Sequence, residues 1–282
     1  MRNYRFSGGT AVVTGAASGI GEQLAYGLAA RGSDLVLLDR DADRLKSVVD
    51  TIARRHPGVA VDSVVADLSD VSALPALGAD LLAAHPRVTL LVNNAGVALG
   101  GTFDQVSAEE FDWVLDVNFR APVALTRLLL PRLLASPGSH VVNVSSLFGL
   151  IAPPGQAAYS ASKFALRGFS EALRHELAPR GVGVTTVHPG GIRTRIAESA
   201  RVGSGVPADQ VSQGKDGFAK LLTYPADKAA EQILAGVEKR RGRVLIAFSA
   251  VAPDLLARLF PTRYLAVLNF LSPSAARKAS SG

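Results

Sequence analysis

Cysteine is absent from the 282 residues of this chain. Disulfides and thiolate metal sites are thereby excluded. Histidine is scarce, and the five (His56, His85, His140, His175 and His188) show no close pair at metal-ligand spacing. No metal is expected, and each histidine reads as a surface or loop residue. Aromatic residues make up only 6%. A nucleic-acid surface needs a basic stripe with interleaved aromatics. Here the net charge of +6 comes mostly from scattered arginines, densest at Arg240-Arg241-Gly242-Arg243. No nucleic-acid partner is expected. Long hydrophobic runs are missing too: no stretch reaches about 18 uninterrupted apolar residues, the length of a spanning helix. The first apolar stretch, residues 10–13, runs straight into Thr14-Gly15 and is too short for a secretory signal. A cytoplasmic location is the expectation.

What is present is apolar and regularly spaced. Hydrophobic residues make up 48%, enough for a substantial core without staples at this length. Short apolar runs at 11–14, 34–39, 59–65, 88–92, 140–145, 183–188 and 243–247 read as strands. The stretches 19–31, 41–55, 71–84, 107–134, 156–180 and 227–239 read as helices. Such alternation implies a parallel sheet covered on both faces. The expected fold class is α/β: a doubly wound, seven-stranded parallel sheet with helices on both faces, in a single domain over residues 1–250. Ser107 and Glu110 form a capping box for the fourth helix, and Pro122 is placed to kink it. Residues 195–224 are polar and glycine-bearing, as a lid would be. Residues 251–282 form a C-terminal extension, apolar over 252–271 and frayed over 272–282. Its expected role is packing on the same or a neighbouring subunit. The alternative is a surface helix resting on a membrane; Pro261 argues against a continuous membrane helix.

Two groups of residues carry chemistry. Thr14-Gly15-Ala16-Ala17-Ser18-Gly19-Ile20-Gly21 joins the first strand to the first helix. Its glycines allow a tight turn and close backbone approach, and the helix N-terminus offers free N–H groups to a pyrophosphate. Asp39 ends the second strand, where an acid can bind a ribose diol. Farther along, Tyr159 and Lys163 stand four apart on one helix face, with Ser146 thirteen positions before the tyrosine. A lysine ammonium beside a phenol favours the phenolate, and is expected to lower the tyrosine pKa from about 10. A phenol tuned that way can give a proton to a carbonyl or take one from an alcohol. Alone, Tyr-x-x-x-Lys is an ordinary helix-surface pair; its weight comes from the glycine turn upstream. Ser145 competes with Ser146, but its strand parity and its spacing to Tyr159 are wrong by one. His188 reads as a strand-end residue rather than a base.

These stations, in this order, resemble the short-chain dehydrogenase/reductase family over residues 8–195, and more loosely beyond. The resemblance implies a Rossmann-type fold and an oxidoreductase that moves a hydride between a nicotinamide cofactor and a secondary alcohol or ketone. It implies that Ser146, Tyr159 and Lys163 are catalytic together with Asn118, whose backbone helps hold a water that relays protons to Lys163. Cofactor contacts are implied for Gly15, Ser18, Gly19, Ile20 and Gly21 in the turn, and for Asp39 and Arg40 after the second strand. Asp67 and Leu68 follow the third strand, and Asn94, Ala95 and Gly96 follow the fourth within Asn93-Asn94-Ala95-Gly96. Tyr159 and Lys163 contribute again, with Pro189, Gly190, Ile192 and Thr194 over the nicotinamide. Asp39 favours NAD(H), because a carboxylate repels a 2′-phosphate; Arg40 keeps NADP(H) as the alternative. Phe148, Leu150, Ile151, Pro153 and Pro154 suggest a pocket for a hydrophobic small molecule. Arg193 and Arg195 are the candidates for holding a carboxylate. Family members pair through two long helices, here 107–134 and 156–180, so a homodimer or homotetramer is expected. Leu125, Leu128, Leu129 and Leu133 read either as such a face or as core. A non-catalytic cofactor sensor is the rival from another class.

Overall fold

The computed structural model describes residues 2–211 and 222–271. Seven strands form one sheet: β1 (Thr10–Thr14), β2 (Asp34–Asp39), β3 (Val61–Val65), β4 (Val88–Asn93), β5 (His140–Val144), β6 (Gly183–Pro189) and β7 (Arg243–Ile246). Their order is β7-β6-β5-β4-β1-β2-β3, and every pairing is parallel. Strands covered on both faces need apolar residues at successive positions, and β5 and β6 are buried throughout. The edge strand β3 is half exposed, as its sequence VDSVV suggests.

The principal helices are α1 (Gly19–Ala29), α2 (Ala42–Arg55), α3 (Leu74–Ala84), α4 (Ala108–Leu115), α5 (Ala121–Ala135), α6 (Ala157–Leu177), α7 (Ala226–Glu238), α8 (Phe248–Leu259) and α9 (Tyr264–Leu271). Strand parity assigns them to faces. Val13, Leu35 and Leu37 cluster with Leu24 and Leu28 of α1, Ile52 of α2 and Leu234 of α7. Their neighbours Val12, Val36 and Leu38 point the other way, to Leu81 of α3, Leu133 of α5 and Leu173 of α6. Leu125, Leu129 and Leu133 are fully buried and therefore core. After β3 the chain returns to place β4 beside β1, on the side away from β2. The loops after β1 and β4 diverge at that reversal and leave a crevice.

The single bent helix expected over 107–134 is instead α4, a π turn at Asp116–Arg120, and α5. The capping box is present: the Glu110 N–H donates to Ser107 Oγ at 3.2 Å, and the Ser107 N–H to Glu110 Oε2 at 2.9 Å. Pro122 has no N–H for the carbonyl four residues back. The ladder slips ahead of it, and the Ala121 N–H donates to the Asp116 carbonyl. The irregularity thus falls around Asn118 rather than at the proline.

Beyond β7, the extension folds as α8 and α9, divided around Pro261. α8 lies on β7 and on residues 147–149. The Tyr264 hydroxyl of α9 accepts the Ala152 N–H at 2.9 Å. Residues 212–221 of the expected lid and the stretch 272–282 expected to fray lie outside the described residues. Among the described residues, no helix is long and apolar enough to cross a membrane.

Candidate active site

A cleft of ≈ 580 Å³ opens at the C-terminal ends of the strands. Every expected catalytic and cofactor residue lines it except Gly21 and Asn118, which are buried behind it. Gly15 and Gly19 have φ of +67° and +59°, where a Cβ brings strain. A Cβ on Gly21 would collide with the Gly15 carbonyl. The turn is fastened to the end of β4. Thr14 Oγ1 accepts the N–H groups of Asn94 and Ala95, each at 3.0 Å. Asn94 Nδ2 donates to the carbonyls of Thr14 at 3.0 Å and Gly15 at 3.2 Å. The N-terminus of α1 carries no side-chain cap and opens on the cleft. Asp39 accepts the N–H of Ala17 at 2.9 Å and of Asp41 at 3.1 Å, which holds its carboxylate beside the turn. Arg40 and Arg44 line the same end. Glycines with no room for a side chain, helix N–H groups free for an anion and a carboxylate with lone pairs left for a diol fit a bound dinucleotide.

Ser146 at the end of β5 meets Tyr159 and Lys163 of α6 at the other end of the cleft. Tyr159 is 8% exposed and Lys163 3%. Lys163 Nζ donates to the Val144 carbonyl at 3.1 Å and lies 5.7 Å from the centre of the Tyr159 ring. The Phe148 ring meets that of Tyr159 edge-on, with centroids 6.0 Å apart. Ser145 Oγ donates to the Lys163 carbonyl at 2.9 Å and is thereby committed to α6. Ser146 Oγ accepts the Phe148 N–H at 3.1 Å, which leaves its own proton to give.

The expected lowering of the Tyr159 pKa is corrected by this geometry. Burial raises it from the ordinary 10, and hydrogen bonding with Ser146 opposes that only in part. Burial also lowers Lys163 to about 8. Both groups lose water, and a desolvated ammonium that is itself disfavoured is a weak partner for a phenolate. Asn118 stands behind this pair. Its Oδ1 accepts the Val97 N–H at 2.8 Å, and its Nδ2 donates to the Val97 carbonyl at 3.0 Å and to Ser162 Oγ at 3.1 Å. The side chain is thus spent on holding the loop after β4 and on Ser162.

Val97, Val117, Leu147, Phe148, Ile196 and Leu222 make the adjoining wall apolar. Leu150, Ile151, Pro153 and Pro154 do not line the cleft; the first two are buried in the body of the protein. Arg195 lines it but pairs with Glu198 at 3.1 Å, and Arg193 does not reach it.

Residues 9–204 match the family model described as short chain dehydrogenase. The chain belongs to the short-chain dehydrogenase/reductase family. It is an oxidoreductase by that membership. SadH of Mycobacterium tuberculosis is 42% identical over 262 residues, covering 92% of this chain and 93% of that protein. Dehydrogenase/reductase SDR family member 7B of Xenopus laevis is 35% identical over 270 residues, covering 92% and 80%. Among solved structures, a short-chain dehydrogenase/reductase from Burkholderia phymatum in complex with NAD superposes with a TM-score of 0.82 at 31% identity, covering 90% of this chain and 94% of that one. One from Sphingobium yanoikuyae in complex with NADPH gives 0.73 at 28%, covering 97% and 96%.

Within this short-chain dehydrogenase/reductase, His188 lies at a strand end as the sequence suggests, but its burial and its partner were not legible there. It is fully buried, and its Nδ1–H donates to the Ser146 carbonyl at 3.0 Å. His140 is also fully buried, with Nε2 on Thr185 Oγ1 at 2.8 Å. The surface reading is wrong for both, because they sit on strands covered from both sides. For His188 the available signal was its place just before Pro189, at the head of a cofactor loop. Burial lowers His140 to about 3, helped by Arg240. Burial likewise lowers His188 to about 4, against the pull of its bond to Ser146. Both stay neutral in the folded protein, while the unfolded chain takes up their protons below about pH 6.5. The unfolded state therefore binds more protons from about pH 6.5 down to 4, and stability falls as pH drops through that window. Thermal melts should show Tm falling from pH 7 to pH 5. The His188→Asn variant keeps a donor for Ser146 and should show a shallower fall; an unchanged slope would refute this assignment.

Proposed function

We propose that this chain is a nicotinamide-dependent alcohol dehydrogenase or ketone reductase, preferring NAD(H), whose substrate is a hydrophobic secondary alcohol or ketone. One observation carries the reading. Ser146, Tyr159 and Lys163 line the same cleft as an open helix N-terminus behind a glycine turn. Relatives bound to NAD and to NADPH support a nicotinamide cofactor. When bound, that cofactor supplies or accepts the hydride. The turn residues Gly15, Ser18, Gly19, Ile20 and Gly21 hold its pyrophosphate, and Asp39 its adenosine ribose. Asp67 and Leu68 flank the adenine. Asn94, Ala95 and Gly96 and the loop of Pro189, Gly190, Ile192 and Thr194 hold the nicotinamide half. Tyr159 gives or takes the proton on the substrate oxygen. Ser146 donates to that oxygen as charge grows on it. Lys163 supplies positive charge and binds a ribose hydroxyl, and the Asn118 backbone holds a water on the path to Lys163. A panel of secondary alcohols and ketones with both nicotinamides, followed by absorbance, tests this. Turnover should be faster with NAD(H); no turnover with either across the panel would end the reading.

NADP(H) is the second reading, because Arg40 and Arg44 line the adenosine end of the cleft beside Asp39. Asp39→Ala removes the repelling charge and should shift the kcat/KM ratio toward NADP(H) by about 10-fold or more. An unchanged ratio would show that this carboxylate does not select the cofactor. Residues 1–250 serve as the catalytic domain with a lid near 195–224, and 251–282 as a C-terminal hydrophobic extension whose described helix α8 borders the substrate side. The chain assembles as a homodimer or homotetramer through its long helices. A mainly apolar groove lined by Val71, Pro75, Phe119, Val123 and Leu128, with Arg120 and Arg127 also in its lining, supports that pairing.

A further inference from the structure

Helix α8 has two unlike faces. Ala250 and Asp254 face the protein at 0% and 8% exposure. Asp254 accepts from Arg243 Nη1 at 3.0 Å and Nη2 at 2.5 Å, which ties the helix to the start of β7. Phe248, Val251, Leu255 and Leu259, at intervals of three, four and four, form a stripe on the outside. They are 81%, 43%, 56% and 62% exposed. Phe260 and Phe270 extend the patch at 46% and 83%. Six of the nine large apolar side chains exposed among the described residues thus lie within 248–270. The patch is too large for chance exposure of single side chains.

Charge decides what covers it. Asp254 is the one acid in residues 248–271, and it is buried under Arg243 and Arg258. The exposed charges of the segment are Arg258 and Arg263, both cationic. The sequence that follows, 272–282, adds Arg277 and Lys278 and no acid. A second copy docking two-fold on this face would set these arginines against themselves, with no carboxylate from the patch between them. An apolar stripe edged only by cations suits the headgroup region of an anionic bilayer. No described helix is both long and apolar enough to cross one, so the segment would lie along it.

We infer that the outer face of α8, with Phe260 and Phe270, docks this protein on an anionic lipid surface. α8 contacts residues 147–149 and Ser249 lines the cleft, so the docked face borders the substrate side. The docking itself is independent of the proposed reaction. Its test is sedimentation of the full chain with vesicles of phosphatidylcholine alone or mixed equally with phosphatidylglycerol. Anionic vesicles should bind the protein about 10-fold or more tightly than neutral ones. Leu255→Gln with Leu259→Gln should abolish pelleting while leaving the circular dichroism and the rate on a water-soluble ketone unchanged. Phe103→Gln, an exposed residue elsewhere (75%), should pellet as the parent does. The inference is overturned if the parent stays in the supernatant with both vesicles, or if the double variant pellets like it. It is equally overturned if light scattering shows the double variant splitting a dimer that never bound lipid.

Discussion

Tyr159→Phe is expected to lower kcat by about 10²–10⁴-fold, a far larger effect than on cofactor affinity. The substitution keeps the ring that meets Phe148 edge-on and removes only the hydroxyl. Packing therefore stays, and the proton is lost. Burial holds the phenol above its ordinary pKa, so at neutral pH it carries its proton. That is the form needed to protonate a ketone oxygen as it takes up charge. Alcohol oxidation needs the opposite form, whose fraction grows as pH approaches the raised pKa. The parent should therefore oxidise alcohols faster as pH rises from 7 to 10. Ketone reduction should stay level near neutrality and decline in base. Steady-state rates in both directions for parent and variant measure this. A phenylalanine variant within a few-fold of the parent would assign the proton to another group.

The second large effect is expected at Gly21. Gly21→Ala puts a Cβ onto the Gly15 carbonyl, 2.7 Å from its carbon and 2.5 Å from Asn94 Nδ2. The Gly15 atoms are backbone, and Asn94 Nδ2 is a side-chain end held by two hydrogen bonds. Asn94 already bridges Thr14 and Gly15, so it cannot swing away without releasing the turn. Either α1 or the turn must shift, and the N–H groups aimed at the cleft shift with it. We expect cofactor affinity to fall by about 10-fold or more and stability to fall by about 1–3 kcal/mol, the usual cost of overpacking. Gly168→Ala supplies the contrast. That glycine lies within α6 with nothing within 4 Å of an added Cβ, so alanine should stabilise by about 0.4–1 kcal/mol. Calorimetric titration with NAD(H) and thermal melts would separate the two sites. Equal behaviour of the two variants would contradict the close contact at Gly21.

The elements that the sequence made legible are those set by local periodicity. β5 and β6 read as strands because both of their faces are covered, which demands apolar residues at successive positions. The Ser107–Glu110 box was legible because a capping box is a contact three residues long. The glycine turn and the one-turn step from Tyr159 to Lys163 are legible for the same reason. The slip at Asp116–Arg120 was not, since a proline removes a donor without saying how the ladder will reroute. His188 was legible as a strand-end residue, but its bond to the Ser146 carbonyl was not, because that partner is 42 residues away.

Residue order alone therefore determined the doubly wound architecture, since helix and strand periods act over a few neighbours, while most of the expected cofactor residues followed from the family resemblance. The tertiary structure decided their electrostatics and their reach. Only packing shows that desolvation outweighs the lysine at Tyr159, that Asp254 is consumed by Arg243, and that the apolar stripe of α8 faces outward. Burial is summed over everything a side chain touches, and most of those contacts come from distant parts of the chain.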